Sequence, residues 1–376
     1  MIEIKELKTK KDLKTFAAYP IKLYKGCPYY VPSLRSDELD TFNPKKNFSL
    51  KVNKIKGFLA YKDGKVVGRI AGLINYKDNQ LQGKKMVRFS RFECIDDIEV
   101  FKALIGAVEK FGHENGMEII HGPWGFNDTD REGLLTYGFN ERATYATNYS
   151  YPYFAKNLEL LGFEAESKWM ERRFEIPKKP DERMDRLAER LKVRLKVREL
   201  TDTLSVKQIV KQYGDKFFDT LNEAYRHLDA YVPIEGEAKK NVLSQFATIV
   251  NKKYVSFLVD ENDEIAGFGI VLPSICNALI KSRGRLFPFG FIGVLKSIWF
   301  PKELEMALIG IKDKYKNTGI NSIIISKILN QIAKNDIRLL ESNPMLEHNL
   351  NIHQQWKFID TEVVKKRQTY TKKIQV

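Results

Sequence analysis

Cysteine is scarce: 376 residues contain three, Cys27, Cys94 and Cys276, widely spaced, odd in number and without a CxxC pair. That usage excludes a disulfide framework and a structural zinc site, and it predicts a reducing, cytoplasmic setting. Histidine is nearly as sparse, with five in all. His348 and His353 stand five apart and point to different faces of a helix, unlike an i,i+4 ligand pair, so no metal is predicted. Long apolar runs are missing too. The opening MIEIKELKTKKDL lacks the apolar core of a signal peptide, and the longest apolar run, Leu286 to Leu295, is too short to span a bilayer. No export or transmembrane segment is expected.

What is present describes a folded, basic protein. Apolar residues make up 43% of the chain and aromatics 12%, enough surface to bury that disorder is excluded. The length suits two ordinary domains, each with its own core, better than one very large one. Sixty-three Lys and Arg against forty-eight Asp and Glu give a formal charge of +15, which attracts phosphates, nucleic acid or an acidic membrane face. The basic residues are scattered from Lys5 to Lys373 rather than blocked, which reads as a solvated basic surface.

An internal repeat at a spacing of just under two hundred residues organises the chain. Glu3 to Leu7 matches Lys196 to Leu200, each an alternating strand leading into a helical stretch. Tyr30-Val31-Pro32 matches Tyr231-Val232-Pro233. Phe58 to Ile74 matches Phe257 to Leu272, each reading as two strands about an Asp-Gly or Asn-Asp turn, with Gly68 and Gly267 coinciding. Leu160-Leu161-Gly162-Phe163 and the strand after it, through Ile176, match Gln355 to Phe358 and the strand through Ile374. The shared plan is strand, helix or two, hairpin, strand, helix, strand, helix, strand, an α+β arrangement. It divides the chain into a first domain at 1–176, a linker at 177–194 and a second domain at 195–376. The linker, PKKPDERMDRLAERLKVR, is charged and opens with two prolines, which predicts a loop and a solvated helix.

This order resembles the GNAT superfamily of acyl-CoA N-acyltransferases, and the resemblance covers nearly all of both halves. The first half, with Phe92 to Asp97, His121-Gly122-Pro123 and Gly133 to Phe139, is also similar to uncharacterised two-domain bacterial proteins of that superfamily. The resemblance implies two tandem GNAT-like domains, each a mixed, mostly antiparallel sheet flanked by helices. In the second half, Glu303 to Ile311 reads as the central strand, followed by Lys312 to Asn321. The superfamily pattern there is Arg or Gln, two residues, Gly, one residue, then Gly or Ala. Lys316 and Gly319 occupy the first two signature places, and Asn321 replaces the last small residue.

A turn that opens a helix offers unpaired N–H groups and the positive end of the helix dipole, which together hold a pyrophosphate. The predicted site for acetyl-CoA or another acyl-CoA is therefore Ile309, Gly310, Ile311, Lys316, Asn317, Thr318, Gly319, Ile320 and Asn321, with Lys312 and Lys314 adding positive charge. An ordinary strand-to-helix turn with solvated lysines is the plainer alternative. Helix 320–334 repeats isoleucine at 320, 324, 328 and 332, one stripe for the sheet. The equivalent turn of the first half, Cys94-Ile95-Asp96-Asp97, caps its helix with two aspartates that repel a pyrophosphate. That half is expected to be coenzyme-free, shaping the acceptor cleft or serving as scaffold.

The resemblance implies acyl transfer from a thioester to an amine, which needs a stabilised oxyanion and a proton for the leaving thiolate. Many GNAT enzymes take that proton from a tyrosine seven residues after an asparagine. Here Trp356 follows Asn349, and Leu158 holds the comparable place in the first half, so both copies lack the phenol. Trp356 itself reads as core or cleft wall. Glu303 and Glu305 on the central strand are candidate proton relays, although alternating carboxylates on a strand are commonly solvated. The insertion Pro273 to Pro301 is apolar enough to need cover, from the other domain, an acyl or acceptor pocket, or a membrane surface. The loop His121 to Asn127 suits a binding loop or a buried turn. Three readings follow: an acyltransferase acting on a small-molecule or amine acceptor, an inactive GNAT-like binding or scaffold protein, and, more distantly, a nucleic-acid binder. The last asks for basic residues grouped on one face among stacking aromatics, and the scattered charge names no specific nucleic acid.

Overall fold

A computed structural model gives the fold. It describes the chain except for residues 127–129, 228–230, 232, 237–238, 240–241, 244–247, 350–352, 354–358 and 375–376. The first half runs β1 (Ile2–Glu6), α1 (Lys10–Leu23), α2 (Arg35–Asp40), β2 (Lys54–Lys62), β3 (Lys65–Ile74), α3 (Tyr76–Gln82), β4 (Met86–Cys94) and α4 (Ile98–His113). It closes with β5 (Ile119–Gly122), β6 (Leu134–Tyr137), α5 (Tyr153–Leu160) and β7 (Glu164–Phe174). Helix α6 (Glu182–Leu195) leads to β8 (Arg198–Glu199), α7 (Leu200–Thr203), α8 (Val206–Tyr225), β9 (Val255–Val259), β10 (Ile265–Pro273), α9 (Cys276–Ser282) and α10 (Gly290–Trp299). The second half ends with β11 (Glu303–Ile311), α11 (Ile320–Ala333), β12 (Leu339–Ser342), β13 (Met345–Leu346) and β14 (Thr361–Lys373). Among the described residues no helix is long and apolar enough to cross a membrane.

Local chemistry accounts for many of these boundaries. Thr9 and Asp12 form a reciprocal capping box that starts α1, and Ser205 with Gln208 does the same for α8. Asp63 and Gly64, both at positive φ, make the tight turn between β2 and β3. Central strand β11 and the limits of the β2–β3 and β9–β10 hairpins fall within a few residues of the sequence reading.

The strands described form one sheet in the order β1-β2-β3-β4-β5-β14-β7-β12-β11-β10-β9-β8. The two halves have exchanged their last strands. β14, from the end of the chain, closes the sheet of the first half against β5, and β7 closes the sheet of the second half against β12. The exchanged strands pair with each other antiparallel, from Thr361–Phe174 to Thr371–Glu164. β6 and β13 complete the symmetry, one on β14 and the other on β7. At this seam Glu171, Lys365 and Arg367 are buried together: Lys365 Nζ is 3.2 Å from Glu171 Oε2 and 2.9 Å from Glu341, and Arg367 Nε is 2.5 Å from Glu171.

Each half packs its own helices on its sheet. In the first half Val100, Leu104 and Val108 of α4 join Phe58, Ile70, Val87 and Phe89 in one core. In the second, Ile320, Ile324, Ile328 and Ile332 lie in a core with Leu258, Ala266 and Leu340, as the isoleucine stripe predicts. α11 comes so close to the sheet that a Cβ on Gly269 would lie 2.3 Å from Ile324. The linker helix differs from expectation. α6 is not solvated all round: Ala188 and Leu191 are buried in the α11 core, and Asp185 accepts a hydrogen bond of 2.8 Å from Ser326. Its charged composition hid a narrow apolar stripe, which a helix needs only on one side.

Candidate functional site

β11 and β12 run parallel and pair only from Glu303 to Met306, against Leu339 to Ser342. Past that point the two strands separate. β11 also carries a bulge, since Ile270 faces Leu308 while Val271 faces Met306, leaving Ala307 as the extra residue. Beyond the bulge, the backbone of Ile309 meets the hydroxyl of Tyr225 at the end of α8, which donates to its carbonyl (3.2 Å) and accepts from its N–H (3.3 Å). A cleft of about 1590 Å³ opens here between the halves.

The amino end of α11 opens into the same space. Gly319 is its N-cap, in the left-handed region at φ 88°, and no side chain caps the helix. The first turn of an uncapped helix keeps N–H groups available to a ligand, at the positive end of the dipole. Of the nine residues predicted for the coenzyme turn, Ile309, Gly310, Ile311, Lys316, Asn317, Ile320 and Asn321 line the cleft. Thr318 and Gly319 stand behind it: the Thr318 carbonyl accepts from Arg194 (2.6 Å), and the Cβ position of Gly319 faces Leu191 at 3.6 Å.

The lysines of this turn are not free charge. Lys312 pairs with Glu264 at 3.2 Å, Lys314 with Asp260 at 2.6 Å and Lys316 with Asp313 at 2.6 Å. Burial raises the Asp260 carboxyl, but hydrogen bonds from Lys314, the Glu264 and Asn262 amides and Tyr315 outweigh it and hold the group at about 2. The charge that these lysines were expected to add to the backbone N–H groups and helix dipole is thus partly balanced by Glu264, Asp260 and Asp313.

The two candidate relays lie away from the cleft lining. Glu303 joins Arg142 at 2.5 Å and Asn277 at 3.0 Å. Glu305 is buried, accepting from Ser274 Oγ (2.6 Å), Cys276 Sγ (3.2 Å) and the Tyr145 amide (3.0 Å). Desolvation raises its carboxyl above the usual range. Both side chains fasten the second half to the 142–145 segment of the first half. Asn349 lines the cleft, whereas Trp356, like Asn127 of the 121–127 loop, lies outside the described residues. In the rest of that loop Trp124 and Phe126 are buried, and Trp124 and Gly125 line the cleft, so it serves as a packed turn and as cleft wall at once.

The first half supplies the opposite, polar wall, from residues that the sequence did not single out. Arg69, buried, binds Glu93 (2.7 Å) and Glu38 (2.7 Å), and Arg91 reaches Thr41 (2.9 Å). Tyr145 donates to Asp37 (3.2 Å), whose carboxyl burial pushes up, and Arg131 lies 5.6 Å from the Tyr145 ring. These residues come from segments spread over Asp37 to Tyr145, so no local motif marks them. The first half's own turn does not reach the cleft. Where β4 leaves β5, Phe89, Phe92, Phe154 and Phe163 pack edge to face and fill the gap, and Asp97 caps α4 with its own side chain.

Comparison with known proteins agrees on the fold. Tandem GNAT proteins share it: the chain superposes over its full length on 99% of a tandem GNAT protein from the clavulanic acid biosynthesis pathway, with a TM-score of 0.58 at 10% identity. It covers 96% of a GCN5-related N-acetyltransferase from Sphaerobacter thermophilus, again over its full length, at 0.52 and 8% identity. Among curated sequences it is 26% identical to Protein YghO of Escherichia coli, over 97% of this chain and 94% of that one. It is 24% identical to the bacterial ceramide synthase of Caulobacter vibrioides, over 83% of this chain and 81% of the relative. No family model matches the chain. The fold is thus two tandem GNAT-like domains, each a mostly antiparallel sheet with flanking helices.

Proposed function

We propose that the chain is an acyl-CoA-dependent N-acyltransferase that moves a long acyl group to the amine of a lipid-like acceptor. One observation carries the reading: the separated edge of β11 and the uncapped amino end of α11 meet in one cleft, with seven residues of the predicted turn on its wall. The separated edge of β11 from Ile309 to Ile311 suits the extended arm of a coenzyme, which would take the Ile309 amide over from the Tyr225 hydroxyl, and the first N–H groups of α11 suit its pyrophosphate. The cleft, about 1590 Å³, exceeds the several hundred Å³ typical of a pocket for one small molecule, leaving room for two substrates. Leu272, Ile275, Val294 and Ile298 offer an apolar wall to an acyl chain, and the Arg69, Asp37 and Tyr145 wall faces a polar acceptor head. A relative named for ceramide synthesis supports a lipid product.

In the reaction a neutral amine attacks the thioester carbonyl, the C–N bond forms and the C–S bond breaks. The nitrogen gives up one proton to water in the open cleft, and the departing thiolate takes one up. We assign that donation to Tyr225, the phenol that reaches the separated edge of β11, in place of the tyrosine absent from position 356. Three free cysteines and the use of acyl-CoA fit a cytoplasmic site of action.

Free-thiol release, measured with acyl-CoA of several chain lengths against pooled long-chain amines, tests this directly. Release with the longer chains supports it. Tyr225→Phe should lower the rate on the order of 10²- to 10⁴-fold while leaving acyl-CoA binding within a few-fold. Binding without release at any chain length would assign the chain an inactive binding or scaffold role, and absence of both would remove the coenzyme site.

A further inference from the structure

The insertion between β10 and β11 has two faces of opposite character. Its base is anchored: Cys276, Leu279 and Ile298 are buried in a cluster with Tyr24, Val31 and Tyr149 of the first half, and Asn251 donates to the Ile298 carbonyl (3.1 Å). The Gly284 carbonyl accepts from the Arg35 amide at 2.8 Å, and the Phe291 amide donates to the Leu286 carbonyl at 2.8 Å. The tip is therefore held in place, yet it presents Phe287, Phe289, Ile292, Trp299 and Phe300 to solvent at 78, 75, 54, 63 and 70% exposure. The other large exposed apolar residues, such as Val52, Leu81 and Leu160, are scattered singly.

The insertion itself carries charge of one sign. From Ile265 to Lys302 the sequence holds no Asp or Glu, while Lys281, Arg283, Arg285, Lys296 and Lys302 fall within it. All five are exposed, and among the described residues the first four make no ion pair; Lys302 meets Asp336 at 2.5 Å. Exposed lysine and arginine interspersed along one segment with exposed aromatics are the chemistry of an interface with anionic lipid: rings enter the headgroup layer and the cations stay with the phosphates. A second copy of the chain fits poorly, because a two-fold contact would set these cations against their own images.

We infer that the 285–300 tip docks on the surface of an anionic membrane. The patch is also continuous with the cleft, for Phe287 and Phe291 belong to both. Docking thus sets the apolar wall of the cleft against the bilayer. Surface binding does not rest on the transfer reaction proposed above, and it is measured without substrates.

The purified full chain should float with vesicles of phosphatidylcholine carrying about 30 mol% phosphatidylglycerol, and much less with phosphatidylcholine alone. Lipids brominated in their acyl chains should quench its tryptophan emission, and Trp299→Phe should abolish most of that quenching. The triple variant Phe289→Ser/Ile292→Ser/Trp299→Ser, none of whose residues lines the cleft, should lose about tenfold or more in partitioning, with its thermal transition unchanged. Lys281→Glu/Arg283→Glu/Arg285→Glu should lose the preference for phosphatidylglycerol. The inference fails if the wild type stays unbound, or if the triple variant binds as the wild type does. It also fails if the wild type sediments as a dimer that the triple variant converts to a monomer, which would give the patch to a second copy.

Discussion

At the scale of single residues, Gly319 and Glu305 separate the roles of backbone and side chain. A side chain at Gly319 is strained by its positive φ, and a carboxylate there also opposes the helix dipole. Gly319→Glu should weaken acyl-CoA binding by about tenfold to a hundredfold in calorimetry, and Gly319→Ala by less. Asp96→Asn and Asp97→Asn should leave it unaltered, since that turn is not on the cleft; a loss there would move the site to the first half. Glu305 and Asp260 should respond to pH with opposite signs. The Glu305 carboxyl is raised in the folded state, so its contribution is full below the ordinary carboxylate range and fades as pH rises through the folded value. Glu305→Gln should therefore narrow the stability difference between acid and neutral pH. Asp260 is held at about 2, below the ordinary 3.8, so its contribution is present above 3.8 and disappears as pH falls towards 2. Urea midpoints of Asp260→Asn should lose that slope between pH 3.8 and 2. The strand-to-helix turn proposed for the coenzyme could be located in the sequence because 309–321 is contiguous, and its backbone conformation follows from a strand, a glycine and a helix. Tyr225, Arg69 and Asp37 were not, because only the folded chain brings them together.

At the scale of elements, the sequence reading located most strands and named few of their partners. The repeat marked β7 and β14 as equivalent copies, and that equivalence concealed the exchange. A strand with the same alternation fits either sheet, and nothing local favours its own. Likewise, the apolar character of the 273–301 insertion allowed three destinations for its cover, and the structure uses different faces of α9 and α10 for packing, cleft wall and solvent. The seam has a test of its own. Removing the Glu171 carboxylate leaves Lys365 and Arg367 buried with less than their counter-charge, and such a cut costs about 3–5 kcal/mol. Glu171→Ala should show that loss in urea unfolding, and it should report from probes in both halves. Lys5→Ala, at an exposed pair, should leave the midpoint within about 0.5 kcal/mol.

At the scale of the whole molecule, duplication was readable and independence was not there to be read. Two copies that share a seam of exchanged strands should melt together, and calorimetry should find one transition. Two well-separated transitions would contradict the exchange. Fragment 1–176 has no β14 to complete its sheet, so it should not fold cleanly unless the remainder of the chain is supplied. The exchange also bears on how the protein is born. Translation delivers β14 after the rest of the second half, so while that half is being made the first half stands with β5 and β6 waiting for the strand whose one edge pairs with both. An unpaired edge of this kind invites other strands during that interval. A ribosome that stops just short of Thr361 thus spoils the amino-terminal half of its product, the part it finished long before.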